Sequence, residues 1–208
     1  MKKLESSITN MVVVLVGVAV ITGCILAYVN HVTAGPIEEQ NKKTLADGIK
    51  AVMGGGDVTV SATDTVAMES GGKEHQFVVY QVETGGDYLG AAVQSTTGGF
   101  GGDLKVLVGF NPEGDILGYT LLAHAETPGL GAKADKWFQQ PEDGGKASII
   151  GLNPEKANIT VSKDGGDIDA ITASTITSRA FLLAVTNAYA AYKNDPDGVT
   201  GATKQEEE

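Results

Sequence analysis

Residues 103–122 read DLKVLVGFNPEGDILGYTLL, and their pattern decides the fold class. In Asp103–Phe110, Leu104, Val106, Val108 and Phe110 recur at every second position, the period of a strand with one face on a core. Asn111-Pro112-Glu113-Gly114-Asp115 is turn chemistry. Ile116–Leu122 then returns as a second strand. Upstream, Gln76–Glu83 and Tyr88–Gln94 flank Gly85-Gly86-Asp87, a hairpin signal, and Val58–Val66 is short and β-branched. Strands joined by tight turns predict an antiparallel meander rather than alternating βαβ units. Downstream, residues 132–139 read as a short helix and Asn158–Ser162 as a further strand, with a turn at Lys163–Asp167. Ser174–Lys193 carries Phe181, Ala184, Val185, Ala188 and Tyr192 on one stripe, the mark of an amphipathic helix, which Asn194-Asp195-Pro196 ends. The expected class is α+β: an antiparallel sheet with flanking helices over 57–194, followed by a polar, disordered tail at 195–208.

The N-terminus is different in kind. Residues 11–29, MVVVLVGVAVITGCILAYV, hold no charge. At 1.5 Å per helical residue they match the hydrocarbon thickness of a bilayer. Lys2 and Lys3 precede the run, and Glu38 and Glu39 come before the next lysines on its far side. The positive-inside bias then places residues 1–10 in the cytoplasm and the body outside. A cleaved signal ending near Val32-Thr33-Ala34 is the first rival, but the run is long for one. A lipobox at Ile21-Thr22-Gly23-Cys24 is the second, but the chain stays apolar after Cys24. Pro36 and the acids behind it read as the start of a second helix at 36–53, part of a stalk at 30–56 that Gly54-Gly55-Gly56 stops.

The 208 residues carry a net charge of −11. Setting aside Lys2, Lys3 and Glu5, the body keeps 13 basic against 25 acidic residues. No basic face is available, which excludes a nucleic-acid binder. The single cysteine, Cys24, excludes an internal disulfide framework and a cysteine metal site, and His31, His75 and His124 have no ligand spacing. Gly98-Gly99-Phe100-Gly101-Gly102 fails the dinucleotide fingerprint and precedes a strand, where the fingerprint follows one. P-loop, nucleophile-elbow and zincin motifs are absent.

Two segments remain. In 172–178, TASTITS, five of seven residues bear hydroxyls and enter the long helix. Their ordinary role is N-capping. Residues 126–131, ETPGLG, join a strand to a helix, and there the ordinary role is a tight connection.

Together they resemble one family. Asp169, Thr172, Ala173, Ser174, Thr175, Thr177 and Ser178 fit the pattern D-x-x-[S/T]-[G/A]-[A/S]-T-x-[S/T]-[S/T]. It marks covalent flavin attachment in the G subunit of the Rnf electron-transport complex. The same pattern occurs in the equivalent flavin subunit of the related sodium-translocating NADH:quinone reductase. Where the family most often has Gly-Ala, this chain has Ala173-Ser174. ETPGLG, the stretch GFGGDLKVLVGF at 99–110 and the N-terminal span are also similar.

The resemblance implies an FMN esterified through its phosphate to Thr175 by a separate Mg²⁺-dependent flavin transferase that uses FAD. Asp169 belongs to the pattern that enzyme reads. The implied partners are the other subunits of an Rnf-type ion-translocating membrane complex, with this domain on the outer side of the cytoplasmic membrane. Thr172, Ala173, Ser174 and Thr177 frame the attachment point, and small residues there let the phosphate approach the backbone. Glu126, Thr127, Gly129 and Leu130 are expected against the flavin, with Leu130 on the ring. Arg179, the sole arginine, lies four residues after Thr175 and so on the same helical face. It is a candidate partner for the phosphate. Trp137 and Phe138 read as core anchors and His124 as structural. The rivals are the quinone reductase subunit and a membrane-anchored sensor or assembly module without a flavin.

Overall fold

The structure, a computed structural model, describes residues 8–70, 73–139 and 146–194. The expected tail at 195–208 and most of the N-terminal flank lie outside them. Two compact units divide between Thr44 and Leu45. The first is the N-terminal part of helix α1 (Ile8–Val52). Its apolar residues are exposed throughout, and it is long and apolar enough to cross a membrane.

In the second unit, β1 (Thr59–Ser70), β2 (Lys73–Thr84), β3 (Asp87–Gly98), β4 (Asp103–Phe110) and β5 (Ile116–Ala123) form one antiparallel sheet in chain order. Gly85 and Gly86, both at positive φ, close β2 onto β3, as a two-residue hairpin with the sheet's twist requires. The meander read from 103–122 is therefore the observed one. A 3-10 turn (Gly131–Lys133) runs into α2 (Ala134–Trp137). After a second 3-10 turn (Ser162–Asp164), α3 (Thr175–Lys193) completes the unit.

The alternation along β4 sorts its side chains between two cores. Leu104, Val106, Val108 and Phe110 pack with Phe181, Val185 and Ala188 of α3, while Leu107 joins Val82 and Ala92 against Ile49, Val52 and Met53. Phe181 stacks on Phe138 at 4.5 Å between centroids and meets Tyr119 edge-on at 4.6 Å. On the other face, Gly109 and Gly118 lie side by side on β4 and β5. A Cβ on Gly109 would stand 2.5 Å from the Val52 carbonyl oxygen, and one on Gly118 3.0 Å from it. These glycines form a notch for the end of α1, so the compact unit begins at Leu45 and not at 57.

Two elements differ from the sequence reading. Pro36 does not start a helix, because α1 runs through it from Ile8 to Val52. The ring removes one i→i−4 bond, and the helical residues on both sides carry the chain across. Asn158–Ser162 is not a strand. Only a single parallel bridge joins Val161 to Ile168. The chain folds back on itself too soon for more: the Asn158 N–H donates to Asp167 and its amide to the Gly165 carbonyl, with Gly165 left-handed.

Three tyrosines tie the helices to the sheet and the loops beside it. The Tyr119 hydroxyl donates to the Ala134 carbonyl (2.6 Å) and accepts the Phe138 N–H. Tyr192 donates to the Asn111 carbonyl (3.0 Å), and Tyr189 to Glu155 (3.0 Å). Burial, then the Glu155 hydrogen bond, pushes the Tyr189 phenol from 10.0 up to about 12. Burial raises Tyr119 and Tyr192 as well. A folded pKa above the unfolded one gives stability that is complete below pH 10 and lost as pH rises through 12. The urea midpoint is expected to hold at neutral to mildly alkaline pH and to fall from pH 10 upward. The fall should coincide with the phenolate absorbance change, and Tyr189→Phe should make it shallower.

Candidate functional site

The N-terminus of α3 is built by an unusual approach. Ala173 has φ 62°, and Ser174 caps the helix with φ −137° without a side-chain hydrogen bond. The side-chain capping expected from this hydroxyl-rich run is not made by Ser174. Ser178, fully buried, donates to the Ser174 carbonyl (2.9 Å) and accepts the Ile171 N–H (3.0 Å), fastening the incoming loop to the first turn. A left-handed alanine costs on the order of 1 kcal/mol and persists only where neighbours hold it. The N–H groups of Thr175, Ile176 and Thr177 begin the helix and have no acceptor four residues back. They carry partial positive charge outward.

Glu126, 6% exposed, holds the opposite wall. One carboxyl oxygen accepts the N–H groups of Phe100 (2.7 Å) and Gly101 (3.2 Å), and the other accepts the buried Thr177 hydroxyl (2.7 Å). Its own N–H donates to Nδ1 of His124 (3.3 Å). One side chain therefore joins the 98–102 loop, the 126–131 loop and α3. The glycines now have a reason. A Cβ on Gly99 would lie 2.2 Å from the Glu126 carboxyl, one on Gly101 2.0 Å from the Ala125 carbonyl oxygen, and one on Gly131 2.4 Å from Glu126. Gly129 supplies the left-handed turn (φ 76°) that folds Leu130 and Ala132 back onto the Thr127 carbonyl.

Asp169 is a junction on the other side. Its carboxyl accepts the Lys146 N–H (3.0 Å) and the Ser162 hydroxyl (3.1 Å). Its own N–H donates to the Lys146 carbonyl (2.9 Å), and its carbonyl accepts the Trp137 indole N–H (3.0 Å). Trp137 is a half-buried anchor, as expected, and Phe138 is wholly buried.

Two clefts meet at Thr175. The first, about 390 Å³, is lined by Phe100, Glu126, Thr127, Leu130, Gly131 and residues 173–177. Phe100, Leu130 and Ile176 give it an exposed apolar rim, at 68%, 42% and 54% exposure. The second, about 450 Å³, is lined by Trp137, Ala147, Ser162, Lys163, residues 169–173 and Thr175. Ala173 and Thr175 belong to both. The Thr175 hydroxyl, half-buried, makes no hydrogen bond among the described residues.

Of the candidates read from the sequence, Glu126, Thr127, Leu130, Ala173, Ser174, Thr175 and Thr177 share the first cleft, and Asp169 and Thr172 lie in the second. Gly129 lines neither. Arg179 also lines neither, and its guanidinium grips Asp164 through two bonds of 2.7 and 2.6 Å. That bond holds the Asp164 carboxyl below its ordinary range. Both partners are about a third exposed, so the pair contributes no more than about 1 kcal/mol. Phe100, Ile176, Ser162 and Lys163 escaped the sequence reading. The glycines around Phe100 were the available signal, since so many in five residues call for a close backbone contact.

Residues 99–190 match the FMN-binding domain family, a span that contains every lining residue of both clefts. The fold is that of an FMN-binding domain. Over 186 residues the chain is 31% identical to the G subunit of the ion-translocating oxidoreductase complex of Shewanella baltica (strain OS223), covering 85% of each chain. It is 34% identical to the G subunit of the Na(+)-translocating ferredoxin:NAD(+) oxidoreductase complex of Acetobacterium woodii, covering 85% of this chain and 87% of that one. With the corresponding Vibrio parahaemolyticus protein the identity is 32%, over 78% and 79% of the two chains. The chain belongs to the G-subunit family of ion-translocating oxidoreductase complexes. It is a flavoprotein component that carries electrons within a membrane-associated, multi-subunit translocase.

Proposed function

We propose that this chain carries its FMN as a phosphate ester on Thr175, on the outer side of the cytoplasmic membrane. The observation that supports the reading is the position of Thr175. Its unengaged hydroxyl stands where two clefts meet, beside three helix-start N–H groups suited to an anion. The residues fit the group. The clefts fall within the range of about 300–1,000 Å³ usual for ligand pockets, one having an apolar rim for a ring and the other a mixed wall that includes Ser162, Lys163, Asp169 and Thr172. When bound, the flavin accepts and releases electrons; Glu126, Leu130 and Thr127 shape the cleft that would tune its potential through packing and hydrogen bonds. Attachment consumes FAD: the Thr175 oxygen bonds to the FMN phosphorus, the pyrophosphate link breaks, and AMP leaves with the hydroxyl proton released. A flavin transferase of the Mg²⁺-dependent kind would catalyse it. Lys2 and Lys3 ahead of the apolar run support a cytoplasmic N-terminus. By likeness to the Acetobacterium woodii protein, the complex would couple ferredoxin–NAD⁺ electron transfer to ion movement.

The full chain, produced in membranes together with a flavin transferase, is expected to fluoresce as a flavoprotein in a denaturing gel. Thr175→Ala is expected to be dark at equal protein. Equal fluorescence from both would remove the assignment.

A further inference from the structure

Arg179 is the phosphate partner that helical spacing suggests, but Asp164 holds it instead. The polar cleft beside Thr175 nevertheless contains a cation, Lys163. We propose that Lys163 is the residue that recognises the flavin's phosphate, and that Arg179 acts at second hand by pinning the turn that presents it. The inference rests on reading Thr175 as the flavin-bearing residue.

Lys163 sits at the centre of the Ser162–Asp164 turn. That turn is fixed on three sides. Before Lys163, the Ser162 hydroxyl donates to Asp169 (3.1 Å). Within the turn, the Asp164 N–H donates to the Val161 carbonyl (2.8 Å). After Lys163, Asp164 receives both bonds from Arg179. Arg179 lies one helical turn beyond Thr175, so the same helix carries the attachment point and the pin that sets the lysine across from it. The Lys163 ammonium makes no hydrogen bond or salt bridge with any described residue.

The charges support this. Among the described residues, Lys163 is the one cation lining either cleft. Asp169, the anion facing it, has both carboxyl oxygens engaged by the Lys146 N–H and the Ser162 hydroxyl. Asp164 is neutralised by Arg179. The chain carries a net charge of −11, so an anion bound to it needs local positive charge of the kind this lysine supplies. A lysine that shares its cleft with Thr175, the first residue of the helix, suits a phosphate, because its charge and the helix-start N–H dipoles favour the same group.

FMN and riboflavin differ only in the phosphate, so comparing them isolates its recognition, and the change on replacing Lys163 isolates this contact. The full chain, made without a transferase and kept in detergent, is titrated with each while flavin fluorescence is followed. The native chain is expected to bind FMN roughly two- to fivefold more tightly than riboflavin, the range of an exposed ion pair. Lys163→Gln is expected to cut that preference by roughly twofold or more, leaving what the helix-start N–H groups supply, and Lys163→Arg to keep it, with riboflavin affinity unchanged. Arg179→Gln is expected to lose part of it. Circular dichroism confirms that each variant is folded. No preference in the native chain, or full preference in Lys163→Gln, would overturn the proposal. If that happens while Thr175→Ala still abolishes bound flavin in a denaturing gel, only the Lys163 assignment falls. Fluorescence surviving in Thr175→Ala would remove the ester and, with it, the reading on which the Lys163 assignment rests.

Discussion

Glu126→Ala is expected to destabilise the domain by about 2–4 kcal/mol and to loosen residues 98–102, whereas Glu126→Gln should cost under about 1 kcal/mol. The alanine leaves the Phe100 and Gly101 N–H groups without their acceptor and strands the Thr177 hydroxyl, which is 1% exposed. Glutamine keeps an acceptor for the loop, and the Thr177 hydroxyl can turn to accept from its amide. Urea unfolding of the full chain in detergent, with hydrogen exchange at 98–102, separates the two variants. Because Glu126 also forms a wall of the first cleft, the alanine should weaken binding of riboflavin and FMN alike. A contact to the phosphate alone would instead weaken FMN selectively. Equal stability of the alanine and glutamine variants would mean that the carboxyl does not hold the three segments together.

Thr175→Val is expected to assemble into the complex and abolish its electron transfer, down to the level of a complex lacking this chain. Valine keeps the branched shape and removes a hydroxyl that makes no bond within the described protein, so folding stability should change by no more than about 0.5 kcal/mol. Thr175→Ser retains a nucleophilic oxygen and is expected to recover part of the rate. Electron-transfer rate and bound flavin should fall together across native, Ser and Val forms. Full activity in the valine variant would show that the electrons pass elsewhere.

The parts of this molecule that repeat locally were readable from the sequence. β4 and β5 follow from the alternation in 103–122 and the turn between them. α3 follows from its apolar stripe and its end at Asn194, whose φ of 56° is the left-handed cap expected there. Contacts between distant segments were not readable. The Glu126–Thr177 bond joins residues 51 apart. No local pattern marks it, although the glycines that make room for it were conspicuous and tempted a nucleotide reading. The need for glycine at 109 and 118 was not readable either, and only the packed end of α1 shows why they lack side chains. Helical spacing put Arg179 near Thr175, but it could not reveal Asp164 waiting there first. The strand expected at Asn158–Ser162 failed because turn residues close behind it drew its hydrogen bonds into a local loop. The attachment motif was legible as a pattern. Its geometry, with Ala173 left-handed and Ser178 holding the approach from beneath, required the fold.

The most direct test is the mass of the full chain produced with a flavin transferase, followed by mass mapping of its peptides. A flavin ester at Thr175 requires a gain of one FMN less one water, confined to the peptide that contains Thr175. An unmodified chain, with a known carrier modified under the same conditions, or a gain mapped to another residue, would contradict it.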